Sequence, residues 1–143
     1  MFEAKIIKGF KLTSPYGYRT HPVTGEKNSF HNGIDFVGNG TRLLAITPGR
    51  IVESDFDEIS GNFIKVEYVI NGVKYLFSYC HLKNKVIKET HDYIAVEKGE
   101  WIAVMGKSGR STAVHCHLTV RELKTGEIID PLTAFKFIWG LNE

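Results

Sequence analysis

The stretch Phe63-Ile-Lys-Val-Glu-Tyr-Val-Ile-Asn-Gly-Val-Lys-Tyr-Leu-Phe-Ser-Tyr79 decides the fold class. Ile64, Val66, Tyr68 and Ile70 alternate with Lys65, Glu67 and Val69, the period-2 pattern of a strand with one buried face. Asn71-Gly72 separates this run from a second one that opens Val73-Lys74-Tyr75. Both central residues of a two-residue hairpin turn need positive φ, and an Asn-Gly pair supplies them most cheaply. Outward from this hairpin, short strands are expected at 44–46, 50–53, 101–105, 114–121 and 128–129, punctuated by Gly38-Asn39-Gly40, Pro48-Gly49, Lys98-Gly99 and Ser108-Gly109. No helix-length apolar run at 3.6 spacing occurs before the final dozen residues. The expectation is a mainly β domain, either a small barrel or two packed sheets. Residues 132–141, with Phe135, Phe137, Ile138 and Trp139, read as a short helix or irregular cover packed on the sheet.

The chain has 143 residues, 43% of them apolar, enough for one core, so a single domain over 1–143 is expected. Eighteen Lys and Arg against 16 Asp and Glu leave no strong field to draw the protein onto nucleic acid. No stretch approaches the roughly 18 apolar residues of a membrane span. The first fifteen residues lack a signal peptide's apolar region and cleavage site. A protein that acts outside a cell without such a leader gets there by another route, as a phage lysis or virion-associated enzyme does, or is a fragment of a longer secreted chain.

The histidines carry the chemistry. In Val114-His115-Cys116-His117-Leu118-Thr119-Val120-Arg121, alternation puts Val114, Cys116, Leu118 and Val120 on one face and His115, His117, Thr119 and Arg121 on the other. Two histidines on one face, roughly 6.5–7 Å apart at Cα, allow one to ligate a metal while the other reaches over it. In Tyr75–Leu82 the same rule puts Tyr75, Phe77, Tyr79 and His81 on one face, so His81 is expected to join that surface. His31-Asn32-Gly33-Ile34-Asp35 supplies an imidazole and a carboxylate. Extended chain would hold these roughly 13 Å apart, so a bend is expected at Asn32-Gly33. His31, Asp35 and one of His115 and His117 make three protein ligands and leave a fourth position open, the mark of a catalytic zinc site. Zinc lowers the pKa of water to about 7 and polarises a carbonyl, the two requirements of amide hydrolysis. No H-E-x-x-H helix is present to supply a glutamate base. The remaining histidines are expected to move the proton and bind the oxyanion.

Three motifs in order carry a family resemblance. Ser14-Pro-Tyr-Gly-Tyr-Arg-Thr-His-Pro-Val-Thr-Gly25 leads into Phe30-His-Asn-Gly-Ile-Asp-Phe36, followed by Tyr79-Cys80-His81-Leu82 and by Gly106-Lys-Ser-Gly-Arg-Ser-Thr-Ala-Val-His-Cys-His-Leu118. Over about 13–134 the chain resembles lysostaphin-type (LytM-like) peptidoglycan endopeptidases. The resemblance implies a small antiparallel β core, a barrel–sandwich hybrid with a groove over zinc. It makes His31, Asp35 and His117 the Zn2+ ligands and His81 and His115 the catalytic pair. It also implies bacterial peptidoglycan as substrate, cut at its peptide cross-links or stems. Arg19 and Tyr79 are expected to contact substrate. Ala113-Val114 stands where members often have Gly-Pro, a departure that bears on loop shape and removes no ligand.

Cys80 and Cys116 are expected on the core faces of their strands, as small buried apolar residues rather than a disulfide. Ser108 and Ser111 are expected to shape a turn, since nothing resembling a nucleophile elbow accompanies them. His21 and His91 receive no role. Two other readings remain: a catalytically silent wall-binding or activating module of the same family, and a lipoyl- or biotinyl-type carrier. The first is opposed by the intact ligand set, the second by the lack of a lysine in the hairpin that such carriers modify.

Overall fold

The computed structural model describes residues 9–19, 24–25, 29–84 and 93–134. The Arg19 side chain, His21, His91 and the aromatic residues Phe135, Phe137 and Trp139 lie outside what is described. In chain order the strands are β1 (Lys11–Ser14), β2 (Gly17–Arg19), β3 (Ser29–His31), β4 (Ile34–Val37), β5 (Arg42–Leu44), β6 (Gly49–Asp57), β7 (Gly61–Ile70), β8 (Val73–Leu82), β9 (Ile94–Val96), β10 (Trp101–Val104), β11 (Cys116–Glu122) and β12 (Ile128–Ile129). One helical turn, α1 (Pro131–Ala134), follows. The main sheet runs in the order β1-β4-β11-β8-β7-β6-β9, every pair antiparallel, with β12 added on β11. Two small sheets, β10-β5 and β2-β3, accompany it. The expected antiparallel β core is present, as one open sheet with two short companions.

The hairpin β7-β8 lies inside this sheet. Asn71 and Gly72 have φ of 52° and 79°, as a two-residue turn of this type demands. Ile64, Val66 and Tyr68 are fully buried and Ile70 nearly so, while Val69 is exposed. They pack with Ile34 and Phe36 of β4, Cys116, Leu118 and Val120 of β11, and Leu43, Ile102 and Met105 from the β5 and β10 region. Burying aliphatic and aromatic side chains of this size contributes roughly 1.5–3 kcal/mol each, which ties the strands carrying the site to a stiff support.

Alternation breaks near the end of β8, and this break shapes the site. Pairing of β7 with β8 shifts between Asn62 opposite Leu82 and Ile64 opposite Tyr79, so Cys80 and His81 together face Phe63. This is a β-bulge, and His81 takes the left-handed conformation with φ 64°. That conformation costs a residue with a side chain roughly 1–2 kcal/mol. Hydrogen bonds from the His81 amide to the Ser60 carbonyl (2.7 Å) and from the Gly106 amide to the His81 carbonyl (2.9 Å) hold it in place.

Candidate metal centre and its histidines

One row of residues crosses three neighbouring strands. His117 of β11 pairs with Asp35 of β4 on one side and with Cys80 of β8 on the other. Residues paired directly across antiparallel strands share a face, so Asp35, His117 and Cys80 all look into the groove. His31 joins them from the end of β3, after the chain breaks at Asn32-Gly33. The bend expected there is present, but its physical basis is steric. A Cβ on Gly33 would lie 2.1 Å from the Leu118 carbonyl oxygen, so glycine is required for β11 to approach rather than for a positive φ.

His31, Asp35 and His117 bring one ligand atom each within 4.8 Å of one another, the one such trio among the described residues. His117 Nδ1 lies 2.9 Å from Asp35 Oδ1 and 3.1 Å from His31 Nε2, and His31 Nε2 lies 3.5 Å from Asp35 Oδ2. A tetrahedron with arms near 2.0–2.1 Å has edges of roughly 3.4 Å, close to all three separations. The hydrogen bonding also fits a cation. His31 Nδ1 donates to the Pro15 carbonyl at 2.8 Å, which leaves Nε2 a lone pair aimed at a carboxylate oxygen. A proton on His117 Nδ1 can serve His31 or Asp35, whereas a divalent ion at the centre satisfies all three. Burial alone would raise the Asp35 carboxyl, but hydrogen bonds to His115, His117 and His31, with charge on His117, hold it well below the usual carboxylate range. It is ionised and ready to ligate.

Two more imidazoles stand over the trio. His81 and His115 have ring centroids 4.9 Å apart, and His81 is 6.2 Å from His117. His81 Nδ1 donates to the Ser108 carbonyl at 2.8 Å, and His115 Nδ1 to the Ala113 carbonyl at 2.9 Å. Both rings therefore carry a proton on Nδ1, which leaves Nε2 of each as the atom that exchanges protons. His115 Nε2 lies 3.6 Å from Asp35 Oδ1. Burial lowers the His81 pKa; a hydrogen bond to Ser108 opposes this, and repulsion from His115 and His117 adds to it. His81 is thus a neutral base at neutral pH. The groove around these residues has a volume of about 710 Å³.

All five chemical residues named from the sequence meet in this groove. Tyr79 does not: it is fully buried, and its hydroxyl lies 2.9 Å from that of Tyr68 in the core. Its expected contact with substrate is corrected on that ground. Regular alternation puts Tyr79 with Phe77 on the core face and Cys80, opposite His117, on the other; the bulge turns His81 away from the face of Tyr79 and over the metal trio. Cys80 therefore lines the groove, opposite to the expected orientation, while Cys116 is in the core as expected. Both cysteines are free thiols, and burial raises the Cys80 thiol to about 11. Val114, expected on the core face, is 46% exposed because regular pairing begins only at Cys116.

Ser108 and Ser111 shape the turn as expected, and each also supports a histidine. Ser108 Oγ donates to the Leu82 carbonyl at 2.5 Å and accepts the Asn62 amide at 3.0 Å, which fixes the carbonyl that orients His81. Gly61 and Gly109 pack without room for a Cβ, clamping this loop to the start of β7. Ser111 Oγ donates to Ala113 O and lies 3.1 Å from His115 Nδ1. Two serines in a glycine-punctuated loop beside the histidines were the only sequence signal of this support.

Comparison with known proteins bears on the same residues. The model of Peptidase family M23 matches residues 29–131, which contain all five. The chain is 32% identical over 124 residues to a DD-carboxypeptidase/endopeptidase of Neisseria meningitidis, covering 86% of this chain and 26% of that protein. It is 33% identical over 103 residues to a peptidoglycan DD-endopeptidase of Vibrio cholerae, covering 71% and 22% respectively. Among solved structures, the catalytic domain of the antimicrobial peptidase lysostaphin from Staphylococcus simulans matches with a TM-score of 0.67 and 32% identity, covering 89% of this chain and 92% of that one. The chain thus spans about a quarter of the length of the curated relatives, and nearly the whole of an isolated catalytic domain.

Proposed function

The chain belongs to peptidase family M23, and we propose that it is a zinc endopeptidase that hydrolyses the peptide cross-links or stem peptides of bacterial peptidoglycan. The observation that carries this reading is the convergence of His31 Nε2, Asp35 and His117 Nδ1 at 2.9–3.5 Å beneath two histidines whose Nδ1–H groups are anchored to backbone carbonyls. The similarity to a peptidase and to a peptidoglycan DD-endopeptidase supports the substrate. His31, Asp35 and His117 would hold zinc, which when bound would supply an acidified water and a polarised scissile carbonyl.

The rest is the work of His81 and His115. His81, kept neutral by burial and fixed by Ser108, takes a proton at Nε2 from the attacking water. A proton on His115 Nε2 is stabilised by Asp35 Oδ1 at 3.6 Å. Held there, it hydrogen-bonds the developing oxyanion, and the proton that His81 took from the water passes to the leaving nitrogen as the C–N bond breaks. The groove, about 710 Å³ in volume, is open to solvent along its rim, where Phe30 and Val114 are about half exposed.

Activity is expected to fall as the pH drops below about 6. His31 and His117 hold a metal only when unprotonated, and His81 accepts a proton only when unprotonated. Because the pKa of His81 is lowered, that residue stays a base through neutrality, and because Asp35 is held well below its ordinary value the carboxylate does not set the acid limb. A rate profile flat down to about pH 4 contradicts histidine ligation and histidine catalysis together.

The function itself is tested by digesting purified sacculi of several cross-link types and reading the released fragments by mass spectrometry. New peptide termini support the endopeptidase and identify the bond. Tight binding to sacculi with no cleavage of any type would replace it by the silent wall-binding module.

A further inference from the structure

Among the residues that line the groove, Asp35 is the one carboxylate and Arg110 the one cationic side chain of the Lys or Arg type. Asp35 is committed to three histidines. Arg110 is exposed, and among the described residues no carboxylate forms an ion pair with it. Along the facing loop, Asp57 is already engaged by the amides of Ile59 and Ser60 at 2.9 and 2.6 Å, and among the described residues no ion pair joins the neighbouring Glu58 to Arg110. Yet the backbone that carries Arg110 is held firmly. Its amide donates to the Ile59 carbonyl at 2.8 Å, and two residues earlier the Ser108 carbonyl orients His81. The loop that anchors His81 therefore also holds the backbone of Arg110 in a fixed place beside that histidine. The planar fork of an arginine suits a carboxylate, which it binds through two parallel hydrogen bonds.

Two large apolar side chains also stand on the groove. Phe30 is 50% exposed at the groove and stands edge-on to Tyr16 and Tyr18 with centroids 5.2 Å away in each case, and Val114 lines the groove beside the histidines. A peptide with side-chain carbon and a free carboxylate next to the cleaved bond meets both features. A bridge made only of glycine offers nothing to either.

We propose that Arg110 is a specificity-determining residue that anchors a substrate carboxylate, so that the groove selects stem-peptide junctions bearing a free carboxylate beside the scissile bond over all-glycine bridges. This rests on the peptidase reading above. The test uses the zinc-loaded full chain and three soluble peptides: a cross-linked stem dimer with that carboxylate free, the same dimer with it converted to the carboxamide, and pentaglycine. The wild type is expected to show kcat/KM about tenfold higher for the free acid than for the amide, mostly through KM, the scale of one partly exposed charge-assisted hydrogen bond. In Arg110→Gln that ratio is expected to fall to near one, and Arg110→Lys to keep part of it. A wild-type ratio near one, an unchanged ratio in Arg110→Gln, or faster cleavage of pentaglycine overturns the proposal while leaving the peptidase reading intact. Cleavage of none of the three overturns both.

Discussion

The His117→Ala variant is expected to lose both its bound zinc and its hydrolytic activity. His117 Nδ1 is the atom common to two of the three close approaches in the trio, to Asp35 at 2.9 Å and to His31 at 3.1 Å. Without it two donors remain, below the three that a catalytic zinc site needs. Outer-shell substitutions already cost about 10–100-fold in metal affinity, and loss of a ligand costs more. The residual rate is expected to fall by roughly 10³-fold or more, since both the acidified water and the polarised carbonyl are lost. Asp35→Ala is expected to behave the same way and to add strain, because it leaves three imidazoles facing one another without the carboxylate that joins them. Metal analysis of the purified variants, with circular dichroism to show that they remain folded, reads the outcome. Full zinc occupancy in His117→Ala contradicts the assignment.

The two upper histidines are expected to separate metal binding from turnover. His115→Ala and a His81 variant should keep zinc near one equivalent and lose roughly 10²–10⁴ in kcat, the range of a general acid or base. At position 81 asparagine is the better replacement, because φ of 64° is a conformation that asparagine tolerates and alanine does not. An alanine there would mix loss of chemistry with a backbone penalty. Zinc lost in His115→Ala but kept in His117→Ala would exchange the roles of the two residues.

What the sequence made legible follows from the rules it obeys. The Asn71-Gly72 hairpin and the alternation of Ile64, Val66, Tyr68 and Ile70 were readable because both depend on local geometry. So was the division of β11 into a buried row, Cys116, Leu118 and Val120, and a groove row containing His117 and Thr119. β4 was not readable as a strand, because Ile34, Asp35 and Phe36 are all buried and show no alternation. The bulge at Cys80-His81 was invisible for a different reason: histidine enters the left-handed region too seldom to signal it, and contacts from Ser60, Gly106 and Ser108 hold it there. His81 was therefore expected in the groove by an alternation that fails at His81 itself, and naming the strand's faces from His81 put Tyr79 in the groove and Cys80 in the core, the reverse of where they lie. Asn32-Gly33 was read as a bend, whereas the demand on Gly33 comes from the Leu118 carbonyl on a strand 85 residues away in sequence. The five groove residues were legible because they stand in motifs, and their support by Ser108, Ser111 and Pro15 became visible only with the fold.

The central claim, a metal-dependent cut in the wall's peptides made at His31, Asp35 and His117, is tested most directly by chelation and reconstitution. Sacculi are digested with the purified protein as isolated, after zinc removal by a chelator, and after zinc is returned. The account predicts release of peptide fragments in the first case, none in the second and recovery in the third, with one zinc bound per chain. Fragment release that survives complete metal removal would contradict it.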